Sequence, residues 1–85
     1  MKIVLTKKAK KQYEMIKQEG KHNKKCKGIL EILADDPFKY PPYFEKLSGY
    51  PQDTYSRRIN KQHRVVYYIV DETVVIVSMR THYEF

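Results

Sequence analysis

Glu45, Arg58, Arg64, His82 and Tyr83 are the residues of this chain whose types suit a single reaction, the cutting of a phosphodiester. They lie in short blocks: Phe44-Glu45-Lys46-Leu47, Tyr55-Ser56-Arg57-Arg58-Ile59, His63-Arg64-Val65-Val66-Tyr67 and Arg80-Thr81-His82-Tyr83-Glu84-Phe85. Cutting RNA without a metal requires that a 2′-hydroxyl lose a proton, that the phosphate be stabilised, and that the leaving 5′-oxygen gain a proton. Glu45 suits the base, since an arginine beside it keeps it ionised while partial burial raises its proton affinity. His82 suits the acid, because an imidazole with an ordinary pKa of about 6.5 carries a proton near neutral pH. Arg58 and Arg64 offer forked donors that match the non-bridging oxygens of a phosphate. Tyr83 could stack on a base, orient the phosphate, or donate a proton.

Each of these residues also has a structural reading. Glu45 next to Lys46 fits a solvated strand carboxylate, and His82 near the chain end fits an idle exposed side chain. His63 falls in a polar turn and reads as a turn residue. Arg57 and Arg58 are neighbours in a strand pattern, so their side chains point to opposite faces and only one can face a cleft. Tyr13, Tyr67 and Tyr55 fit core or half-core positions better than stacking platforms. The helix lysines read as a solvated face that could also steer the protein toward RNA. Cys26 reads as a small buried apolar residue rather than a nucleophile.

The elements that must position these residues follow from periodicity. Ile3-Val4-Leu5 suits a buried strand, and Thr6 can cap the helix that follows. Ala9, Tyr13 and Ile16 (or Leu5, Ala9, Gln12 and Ile16) mark one face of a helix from Lys7 that Gly20 ends. A second helix spans Asn23 to Ala34 with the apolar stripe Cys26, Ile29, Leu30 and Leu33, and Asp35-Asp36-Pro37 stops it. Tyr43-Phe44-Glu45-Lys46-Leu47 is a short strand candidate. Thr54–Ile59, Arg64–Val70 and Thr73–Arg80 alternate or run apolar as strands do, parted by turns at Asn60-Lys61-Gln62-His63 and Asp71-Glu72. We read the order as β-α-α-β-β-β, an α+β domain with two N-terminal helices on one face of a mainly antiparallel sheet. Alternation sets Val65, Tyr67 and Ile69 against Arg64, Val66, Tyr68 and Val70. It likewise sets Val75, Val77 and Met79 against Val74, Ile76, Ser78 and Arg80. The face with Arg64, Tyr68 and Arg80 forms a shallow basic surface if left open.

Composition narrows the partners. The 85 residues are read as one domain, 1–85, and carry 17 Lys and Arg against 10 Asp and Glu, a net charge of +7. Such an excess on a small domain points to a polyanion or an acidic protein partner. The single cysteine excludes an internal disulfide, and no Cys/His spacing marks a zinc site, so no cofactor is expected. No segment reads as a signal peptide or membrane span, which gives a cytoplasmic expectation with no membrane contact.

The same blocks resemble the YoeB/Txe toxins of the RelE superfamily of bacterial toxin–antitoxin systems. The Ser-Arg-Arg-Ile, His-Arg-x-Val-Tyr and final His82-Tyr83 blocks carry the likeness, which spans nearly the whole chain. The resemblance implies a RelE-like microbial RNase fold and a ribosome-dependent messenger endonuclease that cuts at the A-site codon without a metal. It implies Glu45 as general base, His82 as general acid, Arg64 at the phosphate and Tyr83 completing the site, with Arg58 as a further substrate contact. The products would be a 2′,3′-cyclic phosphate and a 5′-hydroxyl. The implied partners are the ribosome with its A-site messenger and a Phd/YefM-type antitoxin with an acidic C-terminal segment. Operator DNA would be met only through the antitoxin complex, and a homodimer is open. Three positions depart from the family pattern. Ser48 stands where members often carry a lysine, with Lys46 as the substitute contact. Tyr55 replaces a frequent tryptophan. The chain continues past His-Tyr with Glu84-Phe85, which adds a carboxylate near His82. Readings from other classes are a basic nucleic-acid-binding module without chemistry and a ribonuclease that needs no ribosome.

Overall fold

Thr6 and Gly20 delimit the first helix through specific backbone chemistry. In a computed structural model that describes residues 1–20, 22–41, 43–61 and 63–79, the Thr6 hydroxyl accepts the Ala9 N–H at 3.2 Å. That bond satisfies one of the donors a helix start leaves open. Helix α1 runs Lys7–Glu19 and ends on Gly20, whose φ of 73° lies in the left-handed region that a residue without a Cβ adopts at little cost. Helix α2 runs Asn23–Asp35, ending just before Pro37. The strands are β1 (Lys2–Leu5), β2 (Glu45–Leu47), β3 (Thr54–Arg58), β4 (Arg64–Val70) and β5 (Thr73–Ser78).

These strands form one sheet in the order β1-β5-β4-β3-β2. Strand β1 lies parallel to β5, and every other pairing is antiparallel. The α+β arrangement expected from the sequence is therefore present, with one more strand than the β-α-α-β-β-β order. The candidate at 43–47 forms a true strand, but only of three residues, and it pairs solely with β3 at the sheet edge. Strand β3 stops at Arg58 rather than Ile59, and the Arg80 end of the last strand lies outside the described residues.

Both helices lie on one face and bury Ala9 and Ile16 of α1 and Cys26, Ile29 and Leu33 of α2 against Val65, Tyr67, Val74, Ile76 and Met79. Of the stripes read from helical periodicity these residues are buried, while Tyr13 and Leu30 are partly buried and pack against them. Burying a Leu or Ile side chain fully is worth roughly 1.5–3 kcal/mol, so this layer supplies the main driving force. Cys26 is fully buried, as expected of a small apolar residue.

One expectation about the faces is corrected. Simple alternation sets Met79 with Val75 and Val77, away from Val74 and Ile76. The structure places Met79 in the core with Val74 and Ile76. The reason is a register shift at Val66/Tyr67: Tyr67 pairs with Ile76, yet Val66 pairs with Ser78. The extra residue, Val77, flips the parity of everything after it. The Gln12 side-chain oxygen accepts the Met79 N–H at 2.8 Å and ties α1 to the chain beyond the shift.

The β4–β5 hairpin is a two-residue turn. Asp71 and Glu72 take φ of 48° and 57°, the pair of positive values that matches the right-handed twist of the flanking strands. Among the described residues no helix is long and apolar enough to cross a membrane.

Candidate functional site

Strand register, not sequence proximity, assembles the site. Glu45 pairs with Ser56, Ser56 with Val66, and Arg58 with Arg64. Residues directly opposite each other in antiparallel strands share a face, so Glu45, Ser56, Arg58 and Arg64 all lie on the face away from the helices. There the Arg64 Nη1 donates to the Glu45 Oε1 in an ion pair that runs from β4 to β2 across β3. Ser56, opposite Glu45 and 2% exposed, is small enough to lie beneath that bridge. The Glu45 side chain is 39% exposed and that of Arg64 is 22% exposed. The pair is thus open to a ligand but shielded enough for its geometry to be held.

Arg58 is exposed at the end of β3, directly across from Arg64. With Arg64 on the carboxylate and Arg58 in register opposite Arg64, this end of the face has an excess of positive charge that suits a phosphate. The carboxylate is held in place by Arg64 and can accept a proton. The arrangement can therefore do two of the three tasks of phosphodiester cutting, proton abstraction and phosphate stabilisation.

Lys46 is not brought to this corner. Its position next to Glu45 in a strand points it to the other face, and its ammonium pairs with Asp53 at 3.1 Å. Ser48 is exposed just beyond β2. His82 and Tyr83 fall outside the described residues. His63 is a buried turn residue, as expected: its N–H donates to the Asn60 side-chain oxygen at 2.7 Å, and its carbonyl accepts the Ile59 N–H at 2.9 Å. This turn fixes where Arg64 begins β4. Among the described residues no group of three or more His, Cys, Asp or Glu could hold a metal ion.

The residue that the sequence reading left without a role is Arg57. It is 1% exposed on the helix side of the sheet. Its Nη2 donates to the carbonyls of Pro37 at 3.0 Å and Lys39 at 2.9 Å, and its Nε to the Tyr67 hydroxyl at 3.3 Å. Its guanidinium lies over the Phe44 ring, 4.8 Å from the centroid. The Tyr67 hydroxyl itself donates to the Pro37 carbonyl at 3.0 Å, and burial pushes that phenol above its ordinary value. The parity that turns Arg58 outward turns Arg57 toward Val65 and Tyr67. A guanidinium there must find acceptors, which was the signal available in the sequence.

Residues 5–83 match a protein family described as the YoeB-like toxin of bacterial type II toxin–antitoxin systems. Toxin YoeB of Synechocystis sp. is 38% identical over 89 aligned residues, covering 99% of each chain. Among solved structures, the YoeB dimer of Staphylococcus aureus superposes with a TM-score of 0.84 at 30% identity over 98% of each chain. The heterotetrameric YoeB–YefM toxin–antitoxin complex of the same organism gives a TM-score of 0.82, also at 30% identity and 98% of each chain.

Proposed function

This chain belongs to the YoeB-like toxins of bacterial type II toxin–antitoxin systems, and on that premise we propose that it is a ribosome-dependent messenger endoribonuclease acting without a metal. The observation that carries the proposal is the Glu45–Arg64 ion pair on the helix-free face, with Arg58 paired opposite Arg64. Glu45 takes the proton of the attacking 2′-hydroxyl. Arg64 and Arg58 neutralise the phosphate as charge builds on it. His82, assigned by the family resemblance, returns a proton to the leaving 5′-oxygen, and Tyr83 completes the site. The products are a 2′,3′-cyclic phosphate and a 5′-hydroxyl, and no atom beyond the chain and its substrate is needed to balance the step.

The sparse set of groups on the described face supports dependence on the ribosome. A strand face with one base and two arginines has few groups to hold the attacking hydroxyl in line. In-line placement is worth several orders of magnitude in rate, and a messenger already held in the A site supplies it. The solved relatives are a dimer and a complex with YefM, and we extend both assemblies to this chain as proposals. An antitoxin with an acidic segment suits a protein of net charge +7. Operator DNA would be reached only through that complex, and the compartment of action is the cytoplasm, where the ribosomes are.

Primer extension on a messenger in a purified translation system tests this directly, with and without ribosomes stalled with an empty A site. Cleavage at the A-site codon is expected only with ribosomes, and it should disappear in Glu45→Ala. Equal cutting of naked RNA would make the protein a free ribonuclease. RNA binding without cleavage in either condition would leave a binding module.

A further inference from the structure

We propose that Arg57 is a positioning residue for the Glu45 carboxylate: a buried guanidinium that fixes where β2 begins and so where Glu45 points. The inference rests on the proposed role of Glu45 for its consequence in catalysis, but its structural part stands apart from that role.

Apart from the Glu45–Arg64 and Lys46–Asp53 ion pairs, strand β2 has little among the described residues to hold it. It is three residues long, lies at the edge of the sheet and, among the described residues, pairs only with β3. A strand that short is not self-supporting, and its register depends on how the preceding segment arrives. That segment leaves α2 at Asp35 and reaches Glu45 with neither helix nor strand among its described residues. Arg57 grips it at both ends. At the start, one nitrogen holds the carbonyls of Pro37 and Lys39. At the finish, the guanidinium plane lies over the ring of Phe44, the residue immediately before Glu45.

The grip is reinforced from two sides. Tyr67, fully buried in β4, meets Arg57 Nε and also donates to the Pro37 carbonyl, which anchors that end of the segment to the centre of the sheet. Phe38 and Phe44 each meet Tyr55 edge-on and lie tilted to each other, with centroids 5.2–6.1 Å apart, giving the outer end a shared aromatic wall. Arg57 itself cannot wander, because its neighbour Ser56 is paired to Glu45 on one side and Val66 on the other. The strand that carries the phosphate-facing Arg58 thus also carries the clamp that aligns the base. Lysine cannot replace it, since one ammonium has neither the planar fork nor the stacking surface.

Arg57→Lys is the primary test, and Phe44→Leu asks the same question through a milder change should the first variant fold poorly. Two readouts are taken on each. In ribosome-dependent cleavage, kcat is expected to fall at least about tenfold with KM within about twofold, because the messenger is still bound but its base is misaligned. In backbone NMR, independent of any cleavage, amide shifts are expected to move at 38–39 and 44–47 while 68–70 and 73–77 stay in place. Unchanged signals at 44–47 in both variants would overturn the proposal. So would shifts spread evenly over the sheet in both, which would make Arg57 a general core residue. A rise in KM at constant kcat would overturn the catalytic consequence. If the wild type does not cleave at all, the toxin reading fails, and the amide shifts still decide what Arg57 does.

Discussion

Arg57 and Arg58 are adjacent in one strand and end in opposite circumstances. Arg57 is sealed beneath the helix side of the sheet, its guanidinium spent on backbone carbonyls, a phenol and an aromatic ring. Arg58 is exposed on the other face, across from the Arg64 that holds Glu45. The same side chain serves as structure on one face and, in the proposed reaction, as a phosphate contact on the other. What separates them is the two-residue period of a strand. The helix-side face must exclude water, so charges on it are satisfied internally. The opposite face carries its polar groups in a register that leaves them open to a ligand. Fold and site are therefore written into the same three strands at alternate positions, and changes at one parity should leave the other largely untouched.

The largest effect expected from that separation is on the open face. Glu45→Gln keeps the shape of the side chain but removes the proposed base, and general-base catalysis is worth about 10²–10⁴ in rate. Ribosome-dependent cleavage should fall by that factor while the thermal melt stays near the wild-type value. The carboxylate is 39% exposed, so loss of its ion pair has little weight in stability. A melt that collapses together with activity would show that the two faces are not separable at this residue.

Leu33→Ala makes the converse test on the closed face. Leu33 is fully buried in the core, and deleting such a side chain leaves a cavity that costs about 2–5 kcal/mol. Chemical denaturation should record that loss. The cleavage rate of the fraction that remains folded should stay close to wild type, since Leu33 lies in the helix-side core while Glu45, Arg58 and Arg64 lie on the other face of the sheet. A folded Leu33→Ala protein with a rate as low as Glu45→Gln would break the comparison from the other side.

How much of this was legible in the sequence depends on which rule governed each residue. The helices read correctly because their limits are local: the Thr6 cap, the left-handed Gly20 and the Pro37 stop act within one turn. The apolar stripe Cys26, Ile29 and Leu33 followed from the 3.6-residue period alone. Glu45, Arg58 and Arg64 could be named from their types, and the structure joins them. Their meeting could not be derived from alternation, because it requires the pairing of Glu45 with Ser56 across strands eleven residues apart in the chain. Lys46, named as the substitute for the lysine absent at Ser48, lies at the opposite parity to Glu45 and meets Asp53 in this structure. Met79 escaped because a register shift is invisible to a strict two-residue count. Arg57 escaped because a buried arginine is rare enough that composition argues against it.

A smaller effect belongs to the cap. The Thr6 hydroxyl accepts the Ala9 N–H at 3.2 Å and donates to the Val77 carbonyl at 3.1 Å. It therefore joins the start of α1 to the residue that makes the extra step in β5. Thr6→Ala should lower stability by about 1 kcal/mol, the usual worth of an N-cap. Thr6→Ser, which keeps the hydroxyl, should recover most of it. Equal losses in the two variants would mean that the methyl group, and not the hydrogen bonds, carries the contribution.

The smallest effect appears only in alkali. Cys26 is fully buried in the closed layer, and burial raises its thiol from 9.0 to about 11. A group whose folded value is raised contributes its stability in full below the unfolded value, and loses it as pH climbs through the folded one. The wild type should therefore lose stability relative to Cys26→Ala between about pH 9 and pH 11, with the difference flat below that window. Tyr67, raised from 10.0 by the same burial, adds a loss common to both proteins and cancels in the comparison. Iodoacetamide gives the kinetic counterpart at pH 8.5, where the folded thiol should react far more slowly than the unfolded one because only the thiolate is nucleophilic. Parallel loss of stability in the two proteins, or rapid labelling without unfolding, would place Cys26 in contact with water and weaken the picture of a sealed helix-side face.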